Sequence, residues 1–466
     1  MKKICQLIDC NYDIDVVGVS DDSRKIKDGY LFVATKGFYV DHFDYILNAV
    51  ENGAVAVVCD RIVNIDVPVI LVQNINECYI EICQKFYDVI PDDFSLIGIT
   101  GTDGKTTTTT IVKQLLNGIV NTALIGTNGA FINDSHLVID NTTPCISQLY
   151  EVLSKAKNGQ CKNVVMEVSS EALLHRRLDN FKYSIIGYTN ITGDHLNVHK
   201  TLDNYISCKL SLLKLLRPNG IAVVNGDDEN CKHVKCDNMY TFGFDSDNDY
   251  VISDVKQMSK FVKFSITYND IVYEIDSPFI GLYNVYNVAM AFIICLLYGL
   301  DSQYLIEKIR KLKPIDGRGE FLDFGQNYKV ILDYAHTFNG IKNILDSVCN
   351  YKNIITVTGA AGGREKEKRK NIGKLILEKS DLCIFTMDDP RYEDPNDIID
   401  QMVGGRVGNY YRIIDRKLAI EKALSLATKD SVVLILGKGR DNYMAIGDKK
   451  VPYCDYDVIK NFYLNK

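Results

Sequence analysis

The sequence predicts an α/β protein of three domains, and three observations predict it. Short apolar runs alternate with helical stretches along the chain, several of those runs end in glycine-rich or acidic turns, and two polar, proline-containing segments interrupt the series. At 466 residues the chain is too long for one ordinary core, so several domains are expected.

The first unit, residues 1–92, alternates "GYLFVAT", "AVAVVC" and "VPVILV" with helical stretches, the pattern of a small α/β domain. "YDVIPDDF" (87–94), with a proline and acidic residues, reads as a linker. A second unit, 93–313, opens with an apolar strand, a glycine turn and a helix from Thr106. The runs "NVVMEVS", "YSIIGYTN" and "GIAVVNGDD" follow as strands. Apolar strands alternating with helices argue a parallel sheet covered on both faces. "KLKPIDGRGE" (311–320) reads as a second hinge. The third unit, 314–466, carries "KVILDYAH", "NIITVTGAAGG", "DLCIFTMDDP" and "SVVLILGKG". In open α/β sheets ligands gather at the carboxyl ends of strands, where these polar turns lie, so the functional loops are expected to face one another.

Composition narrows the function. A net charge of −7 argues against general affinity for nucleic acid or an anionic membrane. The longest apolar run, "AMAFIICLLYGL" (289–300), is too short to span a bilayer and reads as a buried helix. The opening "MKKICQLIDC" has no sustained apolar stretch, so no secretory leader is expected. Fourteen scattered cysteines suit a reducing cytoplasm. Cys231-Lys-His233-Val-Lys-Cys236 has zinc-ligand residue types, but without a second ligand pair it reads as a loop.

"IGITGTDGKTTTTT" (97–110) is the sharpest motif. The strict Walker A pattern requires glycine where Ile99 stands, so it fails. Gly101-Thr102-Asp103-Gly104-Lys105-Thr106 nevertheless follows a strand and precedes a helix. Glycines let backbone N–H groups approach phosphate oxygens, and a helix N-terminus favours anions. Lys105 would contact the β/γ-phosphates and the Thr106 hydroxyl would hold Mg²⁺. A glycine turn with a threonine cap has the same appearance. Asp103 beside phosphate is an electrostatic oddity. "VTGAAGGREKEKRK" (357–370) lacks dinucleotide-loop spacing; its charges suit a solvated helix face or an anionic substrate.

Ten stretches in order then point one way. "NTTP" (141–144), "MEVSS" (166–170), "TNITGDHLNVHK" (189–200), "YISCK" (205–209), "GLYNVYN" (281–287), "GRGEF", "LDYAHT", "GGREKEKR", "DDPRYEDP" (388–395) and "GKGRDNY" accompany the "GTDGKT" loop. With residues 21–58 they resemble the Mur ligases, ATP-dependent amino-acid ligases of peptidoglycan precursor synthesis, over nearly the whole chain. The resemblance is strongest to the branch that adds the third amino acid of the stem peptide to UDP-N-acetylmuramoyl-L-alanyl-D-glutamate through an acyl phosphate. It implies a UDP-sugar-binding first domain, a central P-loop ATPase-like parallel sheet and a Rossmann-like, amino-acid-binding C-terminal domain.

The resemblance also implies site residues. For ATP they are Gly101, Thr102, Gly104, Lys105, Thr106, Thr107, Asn284, Asn287 and Arg318. Magnesium would be held by Thr106, Glu167, His195 and, once carbamylated by CO₂ to N6-carboxylysine, Lys209. From residue type alone Lys209 is a surface lysine on a helix. Arg318, Asp333 and His336 would join Lys105 and Lys209 in catalysis, which requires domain closure. Ser23, Arg24, Thr142, Thr143, Ser169 and Arg177 would contact the UDP-peptide. Their residue types equally suit capping hydroxyls and surface charge.

Arg364, Asp388, Asp389, Arg391, Gly437 and Asp441 would bind the incoming amino acid. Relatives specific for meso-diaminopimelate typically carry Asp-Asn-Pro-Arg where this chain has Asp388-Asp389-Pro390-Arg391. Arg391 suits a distal carboxylate. Asp389 would repel that carboxylate but welcome an ammonium. Meso-diaminopimelate is therefore favoured and L-lysine comes next. Asp441 and Arg440 replace a glutamate and a histidine common in those relatives, Glu171 a histidine and Phe338 a proline. These departures keep open a diverged ligase for another precursor, while a regulatory ATPase of the same fold is the alternative outside ligases. The chain is expected to act as a cytoplasmic monomer on small molecules, without nucleic acid or membrane.

Overall fold

A computed structural model describes residues 1–37, 40–133, 135–258 and 261–464. Among them, three sheets of four, eleven and six strands follow one another along the chain. The first is wholly parallel, in the order Gly18–Ser20, Tyr30–Val33, Ala54–Cys59, Val69–Leu71. Helix Ile75–Tyr87 begins at Asn74, whose side chain accepts the Glu77 N–H, and ends on Asp88 in the left-handed conformation. "YDVIPDDF" becomes that helix end and a single 3₁₀ turn, Pro91–Asp93.

Strand Ser95–Thr100 lies at the heart of the central sheet and is buried on both faces from Leu96 onward. This is why it reads as a continuous apolar run rather than an alternation. Asn163–Glu167 and then Thr122–Gly126 pair on one side of it, and Tyr183–Tyr188, Leu216–Asn225, Met239–Gly243 and Tyr250–Gln257 on the other, all parallel. The chain thus reverses its winding direction beside Ser95–Thr100, and a crevice opens at the carboxyl end of such a switch point. The sequence patterning did not reveal the antiparallel additions at both edges: Gly129–Ile132 with Ser135–Leu137 at one, and Val262–Tyr268 with Ile271–Ser277 at the other. Along Val262–Tyr268 and Ile271–Ser277 buried side chains recur at every second position over most of the strand, the period of a sheet with one wet face.

Helix Lys105–Leu116 starts one residue before the expected Thr106. It packs with helix Leu282–Leu297, which contains the long apolar run up to Leu297 and is buried from Val288 to Cys295. No helix among the described residues is long and apolar enough to cross a membrane.

The third sheet runs Glu320–Leu322, Lys329–Asp333, Ser431–Leu436, Asn353–Thr358, Leu382–Phe385, Tyr410–Arg412, parallel except at its first pair. Apolar clusters cover both its faces. A fully buried pair, Arg416 with Asp455, ties helix Arg416–Leu426 to the last helix by two hydrogen bonds of 2.8 and 2.7 Å. The strands of this sheet end at or shortly before Asp333, Gly359, Asp388 and Gly437.

Candidate functional site

The loop after Ser95–Thr100 is shaped by close approach. A Cβ on Gly101 would lie 1.8 Å from Thr189 Oγ1, and one on Gly104 would lie 2.4 Å from Asn287 Oδ1. Gly104 also has φ +86, a backbone that favours glycine. Thr102 holds the loop from inside. Its N–H donates to Asn190 O at 2.8 Å, and its hydroxyl meets Thr192 O and the Tyr205 hydroxyl at 3.0 and 3.1 Å. Those groups are engaged within the protein and fix the shape of the loop. The N–H groups from Gly104 to Thr107 sit in the first turn of helix Lys105–Leu116, where an anion is favoured.

Lys105 Nζ donates to Gly101 O and Thr102 O, both at 2.9 Å. Lys209 Nζ reaches the same Gly101 carbonyl at 2.7 Å and lies 4.8 Å from the Tyr205 ring centre. Lys209 is only 1% exposed, which corrects the surface-lysine alternative. Burial, reinforced by the neighbouring Lys105, holds its ammonium pKa well below the ordinary lysine value. Burial also lowers Lys105, but Glu167 and Asp103 work in the opposite direction.

Glu167, at the end of its strand and 1% exposed, gathers donors. Thr106 Oγ1 donates to its Oε2 at 2.9 Å, and Thr127 donates its N–H at 2.8 Å and its hydroxyl at 3.1 Å. From the third domain, Arg318 Nη2 donates to Thr106 Oγ1 at 3.1 Å, while its guanidinium stacks 4.6 Å over Tyr334. Asp333 orders the backbone around Arg318 by accepting Gly319 N–H at 2.5 Å and Ala335 N–H at 2.6 Å. Burial raises its pKa, against the pull of Arg318. Asp103 turns away from the phosphate seat: Thr337 donates its hydroxyl to both carboxylate oxygens at 3.2 Å. This resolves the oddity of an acid in the loop.

Asn284 and Asn287 are both buried on the helix behind Gly104. Asn287 donates to Asn284 Oδ1 at 3.2 Å and accepts from Thr108 Oγ1 at 3.4 Å. His195 has φ +54, with Asp194 Oδ2 3.4 Å from its Nε2 and Arg364 Nη1 3.4 Å from its Nδ1. Burial outweighs Asp194 and lowers its pKa, favouring neutral imidazole. Glu171 lies 3.7 Å from the same ring. His336 is exposed and binds Tyr334 O through Nδ1 at 2.9 Å. It is not among the groups hydrogen-bonded to the loop. Phe338 is exposed at the start of the following helix.

A hydroxyl and a carboxylate 2.9 Å apart, Thr106 and Glu167, form an oxygen donor set that fits Mg²⁺. No group of three or more His, Cys, Asp or Glu side chains is placed to hold a metal among the described residues. Cys231–His233 forms a single 3₁₀ turn.

The UDP-peptide candidates line the junction of the first two domains. Thr143 donates to Glu167 O at 2.7 Å and accepts Ser169 N–H at 3.0 Å, while Arg177 donates to Thr143 O at 3.0 Å. Ser169 caps helix Ser170–Leu174 and Thr142 meets Thr127 at 3.0 Å. Ser23 is buried in a 3₁₀ turn. Arg24 is exposed and pairs with its own Asp22 through two 2.9 Å hydrogen bonds. Next to them Lys25 pairs with Asp140, beside the "NTTP" loop.

The amino-acid candidates share a residue that the sequence reading missed. Lys438 is 1% exposed and lies 2.9 Å from Asp389, 3.4 Å from Asp441 and 3.9 Å from Asp388. Burial works against its ammonium, but the three aspartates outweigh it and raise its pKa. Asp389 also accepts Ala445 N–H at 2.9 Å. Its Oδ1 is thus held by two donors of the protein. Asp441 is raised by burial, with Lys438 opposing. A Cβ on Gly437 would lie 2.4 Å from Asp388 Oδ2. Arg391, exposed with φ +52, has no carboxylate paired with it among the described residues. The clue to Lys438 was its place between two glycines directly after the buried strand Ser431–Leu436.

Comparison with known proteins places these features in a lineage. Residues 15–93 match the Mur ligase family catalytic domain, 99–295 the Mur ligase middle domain, and 317–439 the Mur ligase glutamate ligase domain. The chain is 35% identical to the UDP-N-acetylmuramoyl-L-alanyl-D-glutamate–2,6-diaminopimelate ligase of Bacillus cereus, over 98% of each chain. It is 36% identical to the ligase of the same name from Caldanaerobacter subterraneus, over 99% of this chain and 97% of that one. A solved structure bearing that name superposes with TM-score 0.66 at 25% identity, covering 100% and 99% of the two chains.

Proposed function

The chain belongs to the Mur ligase family, and from that premise we propose that it joins 2,6-diaminopimelate to UDP-N-acetylmuramoyl-L-alanyl-D-glutamate using ATP. The observation that carries the chemistry is the convergence of the Gly101–Thr106 loop, Glu167 and Arg318 at one switch point, with Arg318 supplied by another domain.

Amide formation from a free carboxylate lacks a good leaving group. A carboxylate oxygen of the dipeptide's glutamate attacks the γ-phosphorus of ATP, ADP leaves, and an acyl phosphate results. The amine of the third amino acid then attacks the acyl carbon, loses a proton, and inorganic phosphate departs. The first N–H groups of helix Lys105–Leu116 seat the phosphates. Lys105, released from its loop carbonyls, and Arg318 balance charge on the transferred group. Asp333 keeps Arg318 aimed by holding Gly319. Mg²⁺, when bound, supplies charge neutralisation between phosphate oxygens; Thr106, Glu167 and neutral His195 are the residues that would hold it. Lys209 as a neutral amine can add to CO₂ and lose a proton, becoming an anionic carbamate ligand.

Diaminopimelate is supported over lysine by two features. Arg391 is a free guanidinium for a distal carboxylate. Asp389, the side chain that would have welcomed a bare ammonium, is already held by Lys438. The test is mass spectrometry of the product formed from ATP, the UDP-dipeptide and an equimolar mixture of the two amino acids. A product heavier by one diaminopimelate residue is expected; predominant lysine incorporation would overturn the specificity.

A further inference from the structure

Two loops of the third domain meet back to back behind Arg318. One is Asp316–Glu320, which carries it; the other is Gly437–Asp441, which carries the Lys438 cluster. The approach is so close that a Cβ on Gly317 (φ +66) would lie 2.9 Å from Arg440 N, and one on Gly439 would lie 3.2 Å from Gly317 O. The side chains close the junction. Arg440 Nε donates to Glu320 Oε2 at 2.9 Å and its Nη2 donates to Oε1, a two-point pair. Glu320 is 6% exposed, and the Oε2 that accepts from Arg440 also accepts Gly317 N–H at 2.8 Å. Arg440 is flattened 3.5 Å over the Tyr456 ring, so its fork has little freedom. On the other flank, Tyr334 N–H donates to Gly317 O at 2.9 Å and Gly319 N–H to Asp333. The residues before and after Arg318 are thus fixed from both sides, and Arg440 supplies one of the fixed points from outside the loop.

We propose that Arg440 is a positioning residue: through its two-point pair with Glu320 it sets the loop that aims Arg318, and so couples the Gly437–Asp441 segment to phosphoryl transfer at the Gly101–Thr106 loop. This rests on the ligase reading above and adds a role to a residue with no hydrogen bond or ion pair to the Gly101–Thr106 loop among the described residues.

The two half-reactions separate this role from amino-acid contact. In a single turnover, ATP and the UDP-dipeptide form ADP and acyl phosphate with no third amino acid present. Arg440→Ala is expected to slow that ADP formation about tenfold or more while shifting the KM for diaminopimelate less than about twofold, an interaction realised in the transition state rather than in binding. Arg440→Lys keeps the charge but not the fork and should slow the same step by a smaller factor. UDP-dipeptide affinity and melting temperature report folding; if Arg440→Ala does not fold, Arg440→Lys carries the test. First-step rates equal to wild type in a folded variant, or an effect confined to the KM for the amino acid, would overturn the proposal. Failure of the wild type itself to release ADP would instead remove the ligase reading.

Discussion

Lys105 and Lys209 converge on the Gly101 carbonyl from a helix start and a distant helix, at 2.9 and 2.7 Å. Two ammonium groups sharing one acceptor in a buried setting repel each other, so one side chain is favoured as the neutral amine. The depressed pKa of Lys209 identifies which one. A neutral amine is the form that reacts with CO₂. The expected outcome is that enzyme stripped of CO₂ under inert gas loses most of its turnover and regains it on adding bicarbonate, with UDP-dipeptide affinity constant. Rates indifferent to bicarbonate would show that Lys209 works unmodified. "YISCK" gave the position of this lysine in the chain, but its burial follows from helix Leu202–Leu210 packing beneath the loop, which no local pattern announces.

At the scale of elements, helix Phe338–Ser347 does two jobs at its start. Thr337 accepts Gly340 N–H at 2.9 Å, satisfying an orphan donor, while its proton goes to Asp103 of the phosphate loop. Thr337→Val keeps the shape and removes both bonds. It should lower stability by about 1 kcal/mol, read as a lower denaturant midpoint, and Thr337→Ser should restore it. The loop ahead of helix Lys366–Lys379 is anchored by buried Arg369, which holds Glu393 by hydrogen bonds of 2.7 and 2.9 Å. Arg369, against a burial penalty and with help from Gly363 N–H, brings the Glu393 pKa down to about 2 from 4.5. A depressed carboxyl pKa stabilises the fold above the ordinary value and loses that contribution as pH falls from about 4.5 through about 2. Denaturant midpoints across that window should therefore drop, and Glu393→Gln should be less stable at neutral pH and drop less. A variant with the wild-type acid slope would contradict this. The charge run "REKEKRK" gave only the alternatives of a solvated face or an anion contact. Arg369 turns inward because a carboxylate from a segment more than twenty residues away meets it.

Across the whole molecule, the apolar core does not respect every linker. One cluster runs from Ile4 and Val16 of the first unit into Leu96, Tyr150 and Tyr183 of the second, whereas the third unit has clusters of its own. The second and third units meet through polar contacts: Arg318 to Thr106, Thr337 to Asp103, Lys368 to Asp194, and Leu196 N–H to Glu365 at 2.8 Å. They also meet through Tyr283 of the second unit, which packs against the core of the third without merging the two. An interface of this kind permits relative motion, while a shared core does not. Calorimetry should show the first two units unfolding together and the third as a separate transition. UDP-dipeptide should raise only the former. Three resolved transitions, with the first unit melting alone, would refute the shared core.

The sequence by itself determined the alternation of buried strands with helices, the parallel character of those strands, the glycine turn ahead of helix Lys105–Leu116 and the family, because these depend on local periodicity, on glycine geometry and on short ordered motifs. The tertiary structure alone decided that Asp103 meets Thr337, that Lys438 lies among Asp388, Asp389 and Asp441, and that Lys209 is buried beside Lys105. The reason is electrostatic: in a part-buried site a charge is defined by its partner, and the partners lie on elements far apart in the chain, brought within hydrogen-bonding distance by packing.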